Sequence, residues 1–312
     1  MLRSKFKISG TWIATFILVL VPSIVYGDKF FNTTNIFNVL RQMSMIGLIS
    51  IGMTCVILTA GIDLSVGATV ALTAVISAML TGQSVLLAIL APIAVGVFIG
   101  AVNGFVITKL KIVPFIATLA VQMEVRGIAY IITDMKSVSV SENAPGFPIL
   151  GRGYFYGIPI PVIILALMLL IMWFVCKRTS FGRSLYAIGG NEDAAKMMGI
   201  KVERNKALAY ILTGALSALA GVILCSRLGA GQPVSGSGWE MDAVAAVAIG
   251  GTLLSGGVGG VEKTLPGVLI TALIGNIINL QGNLNTYVQQ IVTGAIVLVV
   301  IILQRKTQAK EA

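Results

Sequence analysis

The sequence predicts an all-α, polytopic membrane protein with about ten transmembrane helices in two inverted five-helix halves, and with a broken helix near Gly61–Gly67. Three observations predict it. The first is composition: of 312 residues, 56% are hydrophobic and 11% charged, too apolar for a soluble core beneath a solvated surface. The second is a series of apolar runs near 10–27, 36–59, 66–82, 84–108, 112–133, 158–177, 206–226, 241–256, 264–281 and 287–304. Most have about the 20 residues that cross a hydrocarbon layer of roughly 30 Å, and the 241–256 run is short and glycine-rich. The third is the distribution of cations. With the amino terminus taken as cytoplasmic, sixteen of the 22 Lys and Arg fall in inner segments and four, Lys29, Lys136, Arg152 and Arg227, in outer ones. That asymmetry orients the chain with both termini in the cytoplasm. The first five spans then run from inside to outside and the next five the reverse way, as in transporters with inverted repeats.

Met1 to Lys7 and the apolar run to Tyr26 look like a signal peptide, but Val25, Tyr26 and Gly27 make a poor small-x-small cleavage site. The run is expected to stay as the first span. After the second run comes GIDLSVG (61–67), two glycines and a carboxylate that a continuous lipid-facing helix would not tolerate. Asp63 or Ser65 either caps the following span or lies near a translocation path, where irregular backbone can face a water-filled cavity. Arg41, Glu124 and Arg126 fall inside apolar runs, where an isolated charge costs several kcal/mol and needs a partner or an aqueous cavity. Glu124 and Arg126 are two apart, point to different sides of one helix and are expected to pair elsewhere. Asn103, Gln122, Asn276, Asn279, Gln289 and Gln290 bring amides into other spans, as helix glue or as hydrogen-bonding groups for a hydroxylated solute. Asp242, ahead of Gly250-Gly251, repeats in the second half the pairing of an acid with a glycine-interrupted segment.

The whole chain, residues 1–312, reads as one transmembrane domain. Between the spans there is no room for a soluble domain of about 100 residues, so an energy-supplying enzyme would be a separate polypeptide. The long inner loop, 178–206, carries a short helix with both ends marked: Asn191 can cap it, Glu192 and Asp193 suit its positive end, and Gly199 can stop it. One or two turns are marginal in water alone and must be held by a neighbour. Residues Gly257–Thr264 miss a P-loop by Glu262 in place of the last glycine, and they run into an apolar span rather than following a strand. With no histidine in the chain and no nucleophile beside an evident base, an intramembrane enzyme is disfavoured. Cys55, Cys176 and Cys225 are isolated and lack CxxC spacing, so neither a metal site nor a disulfide framework is indicated. The net charge of +10 is spread over span ends, which excludes a nucleic-acid face.

Five blocks resemble the permease subunit of bacterial ABC importers for ribose-type sugars: LTAGIDLSVGATVALTA (58–74), NGFVITKLKIVPFIATLA (103–120), RTSFGRSLYAIGGNEDAAKMMGIKV (178–202), GQPVSGSGWEMDAVAAVAIGGT (231–252) and SGGVGG (255–260). The likeness runs from about Asn35 to the end of the last span. It implies a bacterial inner-membrane location and pairing with a second permease copy or a homologous permease. It also implies a cytoplasmic ABC ATPase holding the ATP and Mg, and an extracytoplasmic sugar-binding protein, with no cofactor in this chain. By the same resemblance the inner loop is the segment that touches the ATPase, through Gly182, Arg183, Ala187, Gly189, Asn191, Ala194, Ala195 and Gly199. Candidates for the translocation pathway are Asp63, Ser65, Asn103, Thr118, Gln122, Glu124, Arg126 and Asp242. The chain departs from the family pattern at Ala120, Glu124 and Glu262-Lys263, which leaves the sugar open. The alternative from another class is an ion-coupled secondary transporter using Asp63, Glu124 or Asp242.

Overall fold

The computed structural model describes residues 10–282 and 286–311. The basic stretch Met1 to Lys7, read above as part of the inner surface, lies outside them. Fourteen helices occur among the described residues: α1 (Gly10–Tyr26), α2 (Asp28–Phe31), α3 (Thr33–Leu58), α4 (Val66–Leu80), α5 (Val85–Thr108), α6 (Pro114–Thr133), α7 (Ile149–Arg152), α8 (Ile160–Arg178), α9 (Ser180–Gly190), α10 (Glu192–Met197), α11 (Val202–Leu228), α12 (Trp239–Ile249), α13 (Val261–Gln281) and α14 (Thr286–Glu311). A helix falls in each of the ten apolar runs. Six of these helices, α3, α5, α6, α8, α11 and α13, are long and apolar enough to cross a membrane. The fold is therefore all-α and polytopic.

Local chemistry sets several boundaries. The Asn32 side chain accepts from the Thr34 amide to open α3. Pro114 and Pro161 stand in the first turns of α6 and α8, where the missing N–H would have had no partner. Gly229 and Gly282 close α11 and α13 in the left-handed conformation, an end that glycine adopts without a Cβ clash.

Helices α3, α11 and α13 are buried over most of their apolar length, whereas α5, α6 and α8 leave most of theirs exposed and so supply the lipid-facing perimeter. Helix α5 meets α11 along Gly96, Gly100 and Gly104, where any side chain would strike α11 at Gly214, Tyr210 or Ala207. Small residues at every fourth position let two backbones approach closely where lipid offers no hydrophobic driving force.

Helices α4 and α12 are short: fifteen and eleven residues rise about 22 and 16 Å, less than the roughly 30 Å of a hydrocarbon layer. The non-helical approaches at 59–65 and 229–238 make up the difference. Helix α4 packs on α5, α6 and α11, and α12 packs on α13, α14 and α3. These are the same relations with the two halves exchanged. Val138–Ser139 pairs antiparallel with Ala230–Gly231, which anchors the beginning of the second approach segment.

Candidate functional site

The chain reaches α4 through a sealed turn. Asp63 is 1% exposed. Its Oδ1 accepts from the Ser65 amide at 2.9 Å and from the Ser65 hydroxyl at 2.7 Å. Asn103 on α5 donates through Nδ2 to Ser65 Oγ at 2.8 Å and reaches Asp63 Oδ1 at 3.4 Å. The carboxylate is thereby turned onto the start of α4, where unpaired amides and the helix dipole favour negative charge. Burial of this charge is tolerable because hydrogen bonds replace its lost hydration.

The approach to α12 is built differently. From Gly231, which lies against Ala74 and Val75, the backbone runs antiparallel to α4 until Gly236 lies against Gly67. A Cβ on Gly67 would collide with the Gly236 carbonyl oxygen and with the Glu240 carboxylate. The starts of the two short helices therefore meet inside the helix bundle. Arg126 on α6 donates to the carbonyls of Pro233 at 2.7 Å and Ser235 at 2.6 Å, tying α6 to this segment. Gln122, one turn earlier, donates to Glu240 Oε1 at 3.3 Å, while Glu240 Oε2 is buried without a hydrogen-bond partner. Asp242 accepts from Thr293 at 3.1 Å and Gln289 at 3.4 Å, both on α14. Between α12 and α14 lies a cavity of about 530 Å³ lined by Gly238, Glu240, Asp242, Gln290 and Thr293 among others. Two carboxylates, the Gln290 amide and the hydroxyls of Ser237 and Thr293 around such a space can hydrogen-bond a polyhydroxylated solute.

The 178–206 loop folds as two helices. Thr179 caps α9 by accepting from the Gly182 amide at 3.3 Å. Asn191 caps α10 by accepting from the Ala194 amide at 2.9 Å, and Gly199 ends it at φ 79°. Helix α9 rests on the membrane portion: a side chain on Gly189 would strike the Leu58 carbonyl and the Gly257 amide, and the Tyr186 hydroxyl donates to the Gly259 carbonyl at 3.2 Å. Burial above all pushes that hydroxyl up to about 12, so it stays a neutral donor. Lys177 pairs with Glu262 at 2.8 Å. The glycines of the P-loop-like stretch thus serve as the bed on which α9 lies.

Helix α10 is held by Ala195, which is fully buried with Ile188 and Val202, and by the Glu192 ion pairs to Lys206 and, at 3.0 Å, to Lys196. Lys206 first, then Lys196, holds the Glu192 carboxyl below its usual range. What α10 turns outward is Met197, 83% exposed, and Met198, 70% exposed. Flexible, polarizable thioethers in water are the hallmark of an adaptable contact surface.

Of the loop residues singled out from sequence, Gly182 and Ala195 are buried, Ala187, Gly189 and Ala194 half-buried, and Arg183, Asn191 and Gly199 exposed. Among the pathway candidates, Asp63, Ser65 and Asn103 form one buried cluster, and Gln122, Arg126 and Asp242 gather round the start of α12. Thr118 is buried and turned back onto its own helix, donating to Pro114. Glu124 is exposed on the outer face of α6 and has no ion pair among the described residues, contrary to the expected pairing. Arg41 donates to the Arg152 carbonyl at 3.3 Å and lies over the Tyr154 ring, away from the bundle centre. Asn35 and Asn276 bond one another across α3 and α13, the helix-glue outcome.

Two features escaped sequence reasoning. Glu240 carries the contacts that join α4, α6 and α12. Its only signal was a second acid two residues before Asp242. Cys55 and Cys176, read as isolated, lie in one buried cluster where α3 packs on α8, because sequence separation says nothing about which helices adjoin.

Residues 35–303 match the protein family described as the branched-chain amino acid transport system / permease component. The chain is 47% identical over 302 residues to the ribose import permease protein RbsC of Bacillus subtilis (strain 168), covering 96% of this chain and 93% of that protein. It is 41% identical to the ribose import permease protein RbsC of Escherichia coli (strain K12), with 95% and 93% covered. It is 34% identical to the L-arabinose transport system permease protein AraH of the same strain, with 98% and 94% covered. No solved structure matches.

Proposed function

The chain belongs to the permease-component family of branched-chain amino acid transport systems, and from that membership we propose that it is the membrane subunit of an ATP-driven ABC importer carrying a ribose-type monosaccharide into the cytoplasm. The observation that carries this reading is 47% identity to a ribose import permease over nearly the full length of both chains, together with the exposed methionine tip of α10. ATP and Mg belong to a cytoplasmic ABC ATPase. An extracytoplasmic sugar-binding protein delivers the sugar, and a second permease copy or a homologous permease completes the gate.

In this reading ten helices span the inner membrane as two inverted halves with both termini cytoplasmic. The exchanged neighbours of α4 and α12 support the repeat, and the cation asymmetry supports the orientation. Nucleotide binding closes the ATPases, and α9 and α10 carry the movement to the membrane portion. Arg183, Asn191, Ala194 and Gly199 lie at the ATPase contact, while Gly182, Ala187, Gly189 and Ala195 hold the two helices in shape. Gln122, Glu240 and Asp242 line the sugar path, and Arg126 positions them. Asp63, Ser65, Asn103 and Thr118 stabilise the wall.

The test is uptake of labelled ribose by proteoliposomes containing this chain, its ATPase and its binding protein. Uptake is expected to require ATP on the ATPase side and the binding protein on the other. Transport by this chain alone under a proton or sodium gradient would overturn the reading in favour of a secondary transporter.

A further inference from the structure

A cavity of about 480 Å³ opens where the end of α5 meets α10 and the first turn of α11. Four cations line it, Lys109, Lys196, Lys201 and Arg204, against one carboxylate, Glu203. That carboxylate is already engaged, by Lys109 at 2.7 Å and Lys111 at 3.0 Å. Lys196 is engaged by Glu192 at 3.0 Å and Asp193 at 3.5 Å. Lys201 and Arg204 are left over: both are exposed, and neither has a carboxylate within ion-pair distance among the described residues. The same two side chains line an adjoining cavity of about 410 Å³ beside Gly199. Uncompensated positive charge therefore concentrates at one concave place on the inner surface.

Beside it the chain exposes apolar surface in the same stretch as its lysines. Phe105 and Leu110 are each 56% exposed, Val113 is 58% exposed, and Ile112 is exposed between them, with Lys109 and Lys111 interleaved. Cations placed at the rim of an apolar surface suit the boundary between headgroups and acyl chains. A free phosphate would use the cations and leave the apolar surface unexplained, whereas a lipid uses both. The cytoplasmic leaflet is also the one whose anionic lipids attract basic clusters.

We propose that this cavity binds the phosphate of an acidic phospholipid through Lys201 and Arg204, with the acyl chains lying over Phe105, Leu110 and Val113. Lys196 belongs to α10, so a headgroup seated there touches the segment assigned to ATPase contact. The inference rests on the inner orientation of that segment and is independent of which sugar is carried.

The experiment is native mass spectrometry of the purified full-length chain in detergent, titrated with phosphatidylglycerol, with phosphatidylcholine and with inorganic phosphate. The wild type should retain phosphatidylglycerol over phosphatidylcholine. The double variant Lys201→Gln/Arg204→Gln should lose about 30-fold in that affinity, each cation near an anionic surface being worth about fivefold. Lys201→Arg/Arg204→Lys should keep the affinity. Lys136→Gln, which removes a cation from the opposite surface, should leave it unchanged. Three results would overturn the proposal: equal retention by the Gln double variant, no preference for the acidic lipid, or displacement of the lipid by millimolar inorganic phosphate. Because neither sugar nor ATPase is present, failure of the importer reading in the uptake assay leaves this outcome intact, and the reverse also holds.

Discussion

Helices α4 and α12 have corresponding sets of neighbours and carry an acid at their starts, yet they treat it differently. Asp63 is closed in by its own turn, with Ser65 and Asn103 meeting the carboxylate in one buried cluster. Asp242 depends on another helix, α14, for both hydrogen bonds and lines an open cavity with Glu240, whose second oxygen has no partner. A locally completed cap moves as a unit with its helix. A carboxylate partnered across a helix interface changes its surroundings whenever that interface shifts. In the proposed pathway Asp63 thus belongs to a fixed wall and Asp242 to a deformable one.

The largest expected effect lies where the two walls touch. At Gly67 an added Cβ meets the Glu240 carboxylate and the backbone of Gly236, and the backbone cannot swing away. Gly67→Ala should cost about 1–3 kcal/mol of overpacking or more, lowering both the yield of monodisperse protein and its thermal midpoint. Gly236→Ala adds a left-handed conformation, φ 69°, that costs a further 1–2 kcal/mol or so for a residue with a Cβ. If both variants are as stable as the parent, the two helix starts are not in fixed contact and the comparison fails.

Next comes the difference between the two acids themselves. Asp63→Ala removes the acceptor for two buried donors of Ser65 and should destabilise by about 1–3 kcal/mol, while Asp63→Asn keeps an acceptor oxygen and should cost less. Asp242→Asn should leave the thermal midpoint near that of the parent but slow reconstituted sugar uptake severalfold. Matching stability losses at Asp63 and Asp242 would break the assignment of a rigid and a deformable wall. Slowed uptake in Asp63→Asn at full stability would move Asp63 onto the path.

How much of this was readable depends on whether the determining contacts are local. The interruption at GIDLSVG and the capped helix from Asn191 to Gly199 could be read because a turn acid, a capping amide and a left-handed glycine act within a few residues of themselves. Helix α9 was missed although Thr179 caps it, because its stability comes from Gly189 seated on Leu58 and Gly257, residues far apart in the chain. Glu240 was missed for the same reason: its partners lie on α4 and α6. Glu124 was noticed but has no ion pair among the described residues, since a lone charge in an apolar run announces a need for a partner without saying whether that partner belongs to the same chain. The six long spans were plain from composition, whereas the half-length of α12 follows from the non-helical, turn-rich 229–238 segment that shares its path through the bundle.

A smaller effect is expected in the 178–206 loop, where local order again contrasts with dependence on neighbours. Gly199 sits at φ 79° with open space about it, so Gly199→Ala strains only the backbone, by about 1–2 kcal/mol. The variant should fold and bind its ATPase while sugar uptake per ATP hydrolysed falls. Retention of full coupling would show that the end of α10 does not transmit movement.

The smallest effect concerns Glu192, which joins the locally capped α10 to Lys206 on the fixed body of α11. Lys206, then Lys196, holds its carboxyl below the ordinary range in the folded state. The tether's contribution is therefore complete above the unfolded value of about 4.3 and is lost as pH falls through the lower folded value. Amide hydrogen exchange across Ala195–Gly199 should be unaffected between pH 7 and about 5, with added protection loss only in stronger acid. Glu192→Gln should show a slight loss of protection at pH 7 and no acid-dependent change beyond it. If the Gln variant kept the parent's acid response, α10 would be fixed by Ala195 and its buried neighbours alone, and the ion pairs would be incidental to how the helix is held.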